Sequence, residues 1–306
     1  MRLGTLLLTD NWPDKSMAKL MRYIQYLEVL GFDDVWMANV FDLDAITTMA
    51  IAGQQTERIG LGTAVVPTYP RHPFAMAQQA LTAASACAGR FTLGIGLSHQ
   101  VVVEQLLGLS YQHPVRHMRE YLQVLALLLR GEPVQYQGEL FRTRVELKVN
   151  PGVAVPTLLG ARGPRMLELA GAQADGTITW MTGADTLRDH IIPSINKAAD
   201  GAGRQSPQVV AGLPVVLCTD VARAREHLNE TLSLYSVLPS YRAMLDREGA
   251  SGAGDIALLG DEAALREQIF TLRDSGVTGL NAALIGVESG SQQETLRFLA
   301  ELKPEL

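Results

Sequence analysis

Short runs of consecutive apolar residues alternate along the chain with longer stretches in which apolar residues recur every three to four positions. The first pattern marks a strand buried on both faces, as in a parallel sheet; the second marks a helix with one packed face. Strands are predicted over 3–8, "DDVWMA", "IGLGTAVV", "RFTLGIG", "VPTLLG", "GTITWM", "QVVAGLPVVLC" and "LNAALIG". A helix starts near Ser16 with Leu20, Ile24 and Leu27 on one face, and another covers about 43–54. A third begins near Pro73 and aligns Phe74, Ala77, Leu81, Ala84 and Ala88; a long fourth aligns Met118, Tyr121, Leu122, Leu125, Leu128 and Leu129. Further helices begin at Pro164 and near Asp185, run through 221–235, 238–248 and 261–276, and end the chain with Leu296, Leu299 and Leu302.

Eight strands, each followed by helix, predict an α/β fold of the (β/α)8 TIM-barrel type, a single domain over 1–306. An open doubly wound sheet also accommodates such repeats, but no GxGxxG follows the first strand. Two stretches break the rhythm. Residues 131–155 alternate polar and apolar positions between turn signals and are predicted to be an inserted hairpin or excursion after the fourth helix, not a separate domain. Residues 236–260 are predicted to be a helical excursion between the seventh and eighth strands.

Composition narrows the function classes. With 47% hydrophobic residues the chain can bury a sizeable core, and its net charge of -6 argues against a general nucleic-acid binder. That charge still permits an anionic small ligand held by local arginines. Cys87 and Cys218 lie far apart and outside any CxxC, so they are expected to be buried thiols in a reducing cytoplasm. The opening "MRLGTLLLTDNW" reads as a first strand and not as a signal peptide, and no segment approaches the ~18 apolar residues of a membrane span. HExxH, GxSxG and Walker patterns are absent, and no spacing suggests a metal site.

A barrel of this type builds its active site from the loops at the C-terminal strand ends. The fourth strand ends "LGIGLSHQ", where Gly94 and Gly96 admit either a flat ligand or another backbone, and Ser98 and His99 emerge at the rim. The fifth ends "LLGARGPRMLELAG": Gly160 and Gly163 flank Arg162, and Pro164 suits a first helical turn, whose open N–H groups can seat an anion. The sixth ends "ITWMTGAD", with Trp180 and Met181 available either to wall a planar ligand or to pack in the core. Glycines and hydroxyls spread over several strand ends suit a large bound cofactor better than a metal or a nucleophile.

The stretch "GLGTAVVPTYPRHPFAMAQQALTAASACAGRFTLGIGLSH" is similar to the block from third to fourth strand of the bacterial luciferase-like flavin oxidoreductases, and "PTLLGARGPRMLELAGAQADGTITWMTG" resembles their block from fifth to sixth strand. With "GFDDVWMA" and the insertion, the similarity covers essentially the whole chain. "VVPTYPRHP" and "MREYL" resemble the actinobacterial branch that uses coenzyme F-420, an 8-hydroxy-5-deazaflavin, in place of FMN.

The resemblance implies a deazaflavin ring across the barrel mouth, carried by a bulge at a cis, non-proline bond that matches Ala64–Val65 here. It implies cofactor contacts from Asn39, Ala64, Val65, Gly96, Leu97, Ser98 and His99. The phosphate tail falls by Gly160, Ala161, Arg162, Gly163 and Pro164, with Trp180, Met181 and Thr182 alongside. Arg71 and His72 are expected either to touch that tail or to serve structure. Many deazaflavin relatives carry Asp-His after the second strand, whereas "WMANVFDLD" places Asn39 and Val40 there. Val40 cannot exchange a proton. Either His99, Tyr69 or Asp42 serves as the catalytic group, or hydride goes to an activated alkene or imine that needs little acid help. The missing His also counts against a sugar-phosphate dehydrogenase. The expected activity is hydride transfer between the deazaflavin and a small organic substrate. The alternatives are an FMN-dependent luciferase-like monooxygenase and a deazaflavin-binding protein without turnover. A homodimer is the family expectation. Substrate specificity is expected from residues 10–14, 131–155 and 236–254.

Overall fold

The computed structural model describes residues 1–8, 16–149 and 152–306; the 10–14 segment expected to shape specificity lies outside the described residues. In chain order the first half comprises β1 (Arg2–Leu7), α1 (Met17–Val29), β2 (Asp34–Met37), α2 (Ala45–Gly53), β3 (Gly60–Thr63), β4 (Val66–Pro67), α3 (Pro73–Ala86), β5 (Phe91–Gly96) and α4 (Pro114–Leu129). There follow β6 (Val134–Gln137), β7 (Arg142–Val145), β8 (Thr157–Leu159), α5 (Pro164–Gln173), β9 (Gly176–Trp180), α6 (Ala184–Thr186), α7 (Ile192–Gly201) and β10 (Gln208–Leu217). The chain ends with α8 (Val221–Thr231), α9 (Ser233–Val237), α10 (Pro239–Glu248), α11 (Ala253–Ile256), β11 (Leu258–Gly260), α12 (Glu262–Asp274), β12 (Gly279–Leu284) and α13 (Ser291–Leu302).

Local chemistry sets the helix starts. Ser16 and Asp44 cap α1 and α2 by accepting the backbone N–H groups of Lys19 and Thr47. Pro73, Pro114 and Pro164 each occupy a first helical position, where the missing N–H costs nothing. The parallel strands run in the order β1-β2-β3-β5-β8-β9-β10-β12, and the β1–β12 pairing closes the cylinder. That closure decides for the barrel over an open sheet.

Two apolar regions result. The large one lies between the strands and their helices. The small one fills the lumen with Leu6, Trp36, Leu158, Ile178, Val210 and Ala283, one side chain from each of six strands. At the N-terminal end of the cylinder Arg2 donates to both oxygens of Asp34, at 2.7 Å each. Gly60 belongs to that plug, since a β-carbon there would lie 2.1 Å from Asp34 Oδ1.

The 131–155 insertion contains the antiparallel hairpin β6–β7. Glu120 of α4, only 6% exposed, pins its turn by accepting the N–H groups of Glu139, Leu140 and Phe141 at 3.0, 2.9 and 3.0 Å. Burial pushes its carboxyl pKa up, but the three donors and Arg116 outweigh that and hold it below the usual range. Two expectations need correction. The 236–260 excursion is not helical to its end: its last three residues form β11, parallel to the second half of β10, because "LLG" is too short for periodicity to distinguish strand from helix. The third strand is not continuous either, since β3 stops at Thr63 and pairing resumes with β4 at Val66.

Candidate cofactor site at the barrel mouth

The interruption between β3 and β4 is the centre of the site. The Ala64–Val65 peptide is cis, as the resemblance implied. Ala64 N–H donates to the Met37 carbonyl at 2.8 Å, and the Thr63 hydroxyl spans to Gly94, donating to its carbonyl and accepting its N–H, both at 2.8 Å. The glycines of the neighbouring strands are occupied by this bulge. A β-carbon on Gly94 would sit 1.9 Å from Thr63 O, one on Gly96 2.6 Å from Val65 Cγ2, and one on Gly160 3.5 Å from both Val65 methyls. Of the two readings open for Gly94 and Gly96, backbone and bulge contact is the one observed. Ala64 and Val65, both half-buried, cap the lumen cluster together with Leu8 and Trp180 and form an apolar floor.

The turn after β9 makes one wall. Met181, fully buried, has a φ of 57°, and Ser98 after β5 has a φ of 64°. Left-handed non-glycine residues are uncommon and gather where the fold over-determines them. Among the described residues four occur, two of them at this mouth. The Thr182 hydroxyl and the Trp180 indole N–H are buried without a hydrogen-bond partner among the described residues. Such groups cost stability unless water or a ligand meets them.

Two helix starts face this region, and they differ. At α5 the cap is Gly163, which has no side chain to offer; Pro164 carries no N–H and Met166 N–H donates to the Gly163 carbonyl at 3.0 Å, so the Arg165 N–H is the first-turn donor left for an anion among the described residues. At α6 the place is taken: Glu248 of α10 accepts the N–H groups of Asp185 and Thr186 at 3.0 and 2.7 Å. A β-carbon on Gly183 would come within 2.2 Å of that carboxylate's carbon, so the glycine admits Glu248. A second anion at α6 would meet like charge, and the α5 start is the open seat.

His99 and Arg162 come together. The Arg162 guanidinium lies 3.9 Å above the Tyr241 ring and donates to Ser240 Oγ at 3.1 Å, while the His99 ring is 5.6 Å from Tyr241. Burial, and then the Arg162 charge, lower the His99 pKa, so its imidazole is neutral at pH 7. Tyr69 and Asp42 make other contacts. Tyr69 stacks on His117 at 4.0 Å and neighbours Tyr111 at 5.1 Å; its hydroxyl is buried, without a partner among the described residues, and burial raises its pKa. Asp42 Oδ1 accepts the N–H of Leu43, and Asn39 Oδ1 accepts that of Ala45, so Asn39 helps to start α2. Arg71 and His72 serve structure: Arg71 pairs with Asp44, and His72 Nδ1 accepts the Phe74 N–H at the start of α3. Ser240, Tyr241 and Glu248 lie within the 236–254 stretch expected to shape specificity, but neither they nor Tyr235 are singled out by the sequence. Their stretch signals only an amphipathic helix, and nothing local says which strand ends it will cover.

His117, 7% exposed, is hydrogen-bonded to Thr68 Oγ1 at 3.0 Å behind Tyr69. Burial lowers its pKa from 6.5 to about 4, against a smaller upward push from Glu120. The unfolded chain therefore takes the proton first. Stability is full above about pH 6.5 and falls as pH drops from there toward 4, by about 3 kcal/mol at the limit. Denaturant unfolding at successive pH values is expected to show this slope, and His117→Gln to flatten it. An equal slope in the variant would contradict the assignment.

The model of the family described as luciferase-like monooxygenase matches residues 1–301. The 5,10-methylenetetrahydromethanopterin reductase of Archaeoglobus fulgidus is 29% identical over 244 residues, 78% of this chain and 72% of that protein. The F-420-dependent glucose-6-phosphate dehydrogenase of Nakamurella multipartita is 32% identical over 183 residues, 58% of this chain and 54% of that protein. Among solved structures, an F-420-dependent secondary alcohol dehydrogenase in complex with an F-420–acetone adduct superposes with a TM-score of 0.83 at 19% identity, over 99% of this chain and 98% of that one.

Proposed function

Because the chain belongs to the luciferase-like monooxygenase family, we propose that it is a coenzyme F-420-dependent oxidoreductase passing hydride between the deazaflavin and a neutral organic substrate. The observation that carries this is the mouth itself: an apolar floor beside two orphaned buried donors and an open helix start. The relatives named for F-420 dependence support the choice of cofactor. These residues fit such a group, since an apolar floor suits a flat ring while the Thr182 hydroxyl and the Gly163–Pro164 turn suit a phosphate.

When bound, the deazaflavin supplies a two-electron hydride carrier at ring carbon 5 that activates oxygen poorly. The chain supplies position and exclusion of water. Ala64 and Val65 would support the ring, and Arg162, held by Tyr241 and Ser240, puts fixed positive charge at the rim. His99 shares that rim, and as a neutral imidazole it can donate a hydrogen bond to a substrate oxygen or nitrogen. Tyr69 keeps its proton but is packed between His117 and Tyr111. Val40, Phe41, Leu106 and Leu107, on the segments after β2 and β5, and Leu234 and Val237, on α9, stand exposed, an apolar rim that favours neutral substrates.

Anaerobic oxidation of reduced coenzyme F-420 in the presence of activated enones, quinones or imines tests the proposal. The expected result is protein-dependent oxidation that His99→Ala slows. Oxygen consumption with reduced FMN, and none of this turnover, would overturn it.

A further inference from the structure

One aromatic ring meets side chains from two strand ends and is braced from a third. Tyr241, in the first turn of α10 and only 7% exposed, lies 3.9 Å from the Arg162 guanidinium, which follows β8. The same ring is 5.6 Å from that of His99, which follows β5. Tyr235 meets Tyr241 edge to face at 4.9 Å and in turn meets Trp180, at the end of β9, at 5.9 Å. Arg162 depends on this arrangement. Its guanidinium contacts are the ring face and, at 3.1 Å, Ser240 Oγ, both neutral and both supplied by α10. Its backbone runs between Gly160 and Gly163, which have no side chains to brace it. A long side chain released from such contacts spreads over many rotamers and carries its charge into water. The helix that holds it is itself fixed, since Met244 and Leu245 are buried and Glu248 accepts the Asp185 and Thr186 N–H groups.

We infer that Tyr241 is a positioning residue for the reaction proposed above, a reading on which the inference rests: its ring holds the Arg162 charge and the His99 imidazole in one arrangement at the rim. The ring does the holding, because cation–π attraction needs a π face and not a hydroxyl. The excursion between β10 and β11 thereby acts on the rate through one side chain, without touching substrate and alike for every substrate that uses this rim.

The test is a double-mutant cycle of Tyr241→Leu and Arg162→Ala with two readouts. The first is protein-dependent, anaerobic oxidation of reduced coenzyme F-420 by 2-cyclohexen-1-one and, separately, by menadione. Each single change is expected to lower kcat/KM about tenfold, and the double variant also about tenfold and not about a hundredfold, since Tyr241 acts through Arg162. The factor is expected to be the same for both substrates, and Tyr241→Phe, which keeps the ring, to retain about half the activity or more. The second readout is an NMR titration of the His99 imidazole in the ligand-free protein, assigned by comparison with His99→Ala. Tyr241→Leu is expected to raise its pKa, because the ring no longer covers it and the Arg162 charge moves off, and Tyr241→Phe to leave it in place. Melting temperatures establish that the variants are folded; Tyr241→Met, equally non-aromatic, replaces a leucine variant that is not. Additive losses, a factor that differs between the substrates, or a His99 titration that loss of the ring does not move overturns the inference and leaves the deazaflavin reading standing. A wild type that does not oxidise reduced coenzyme F-420 overturns both.

Discussion

Gly94→Ala is expected to destabilise the protein by about 3–5 kcal/mol, lowering its melting temperature by about 5–8 °C. The added β-carbon would lie 1.9 Å from the Thr63 carbonyl oxygen and 3.0 Å from its carbon, both backbone atoms. No side-chain rotation relieves such a contact. Thr63 cannot withdraw either, because its hydroxyl is bound to Gly94 twice, at 2.8 Å each. The strand pair would have to part, and with it the support of the Ala64–Val65 bulge. Thermal and denaturant unfolding read this directly; a variant as stable as the wild type would show that the bulge has slack.

Gly96→Ala, two residues along the same strand, is expected to do the opposite: to fold nearly as well and bind deazaflavin about a hundredfold more weakly. Its β-carbon would meet Val65 Cγ2 at 2.6 Å, the tip of a side chain that can turn away. A rotamer change costs on the order of 1 kcal/mol. The displaced methyl then enters the mouth, where the floor of Ala64 and Val65 must lie flat against a ring. Melting temperature and cofactor titration on the same preparation separate the effects. A large fall in stability, or an unchanged affinity, would remove Val65 from the floor.

The pair shows what could be read from residues alone. "LGIG" marked a close approach at Gly94 and Gly96, but one-dimensional pattern could not say which partner approaches, because that depends on β5 lying beside β3. The helix starts at Ser16, Pro73 and Pro164 were legible because capping residues and prolines act locally. The bulge at Ala64–Val65 came through a family resemblance and not through spacing, since "GTAVV" reads as an unbroken strand. Least legible were the contacts of α10: Tyr241 under Arg162 and Glu248 on the α6 start join positions more than sixty residues apart. Such contacts belong to the barrel's circular order, which brings the loop after β10 over the ends of β5, β8 and β9.

The central claim is that the barrel mouth holds a deazaflavin. Titration of the purified protein with oxidised coenzyme F-420 and, separately, with FMN, followed by fluorescence, tests it most directly. Saturable binding of coenzyme F-420 that Gly96→Ala weakens, with FMN bound far more weakly or not at all, is the predicted result. Tight binding of FMN with no binding of coenzyme F-420 would contradict the account.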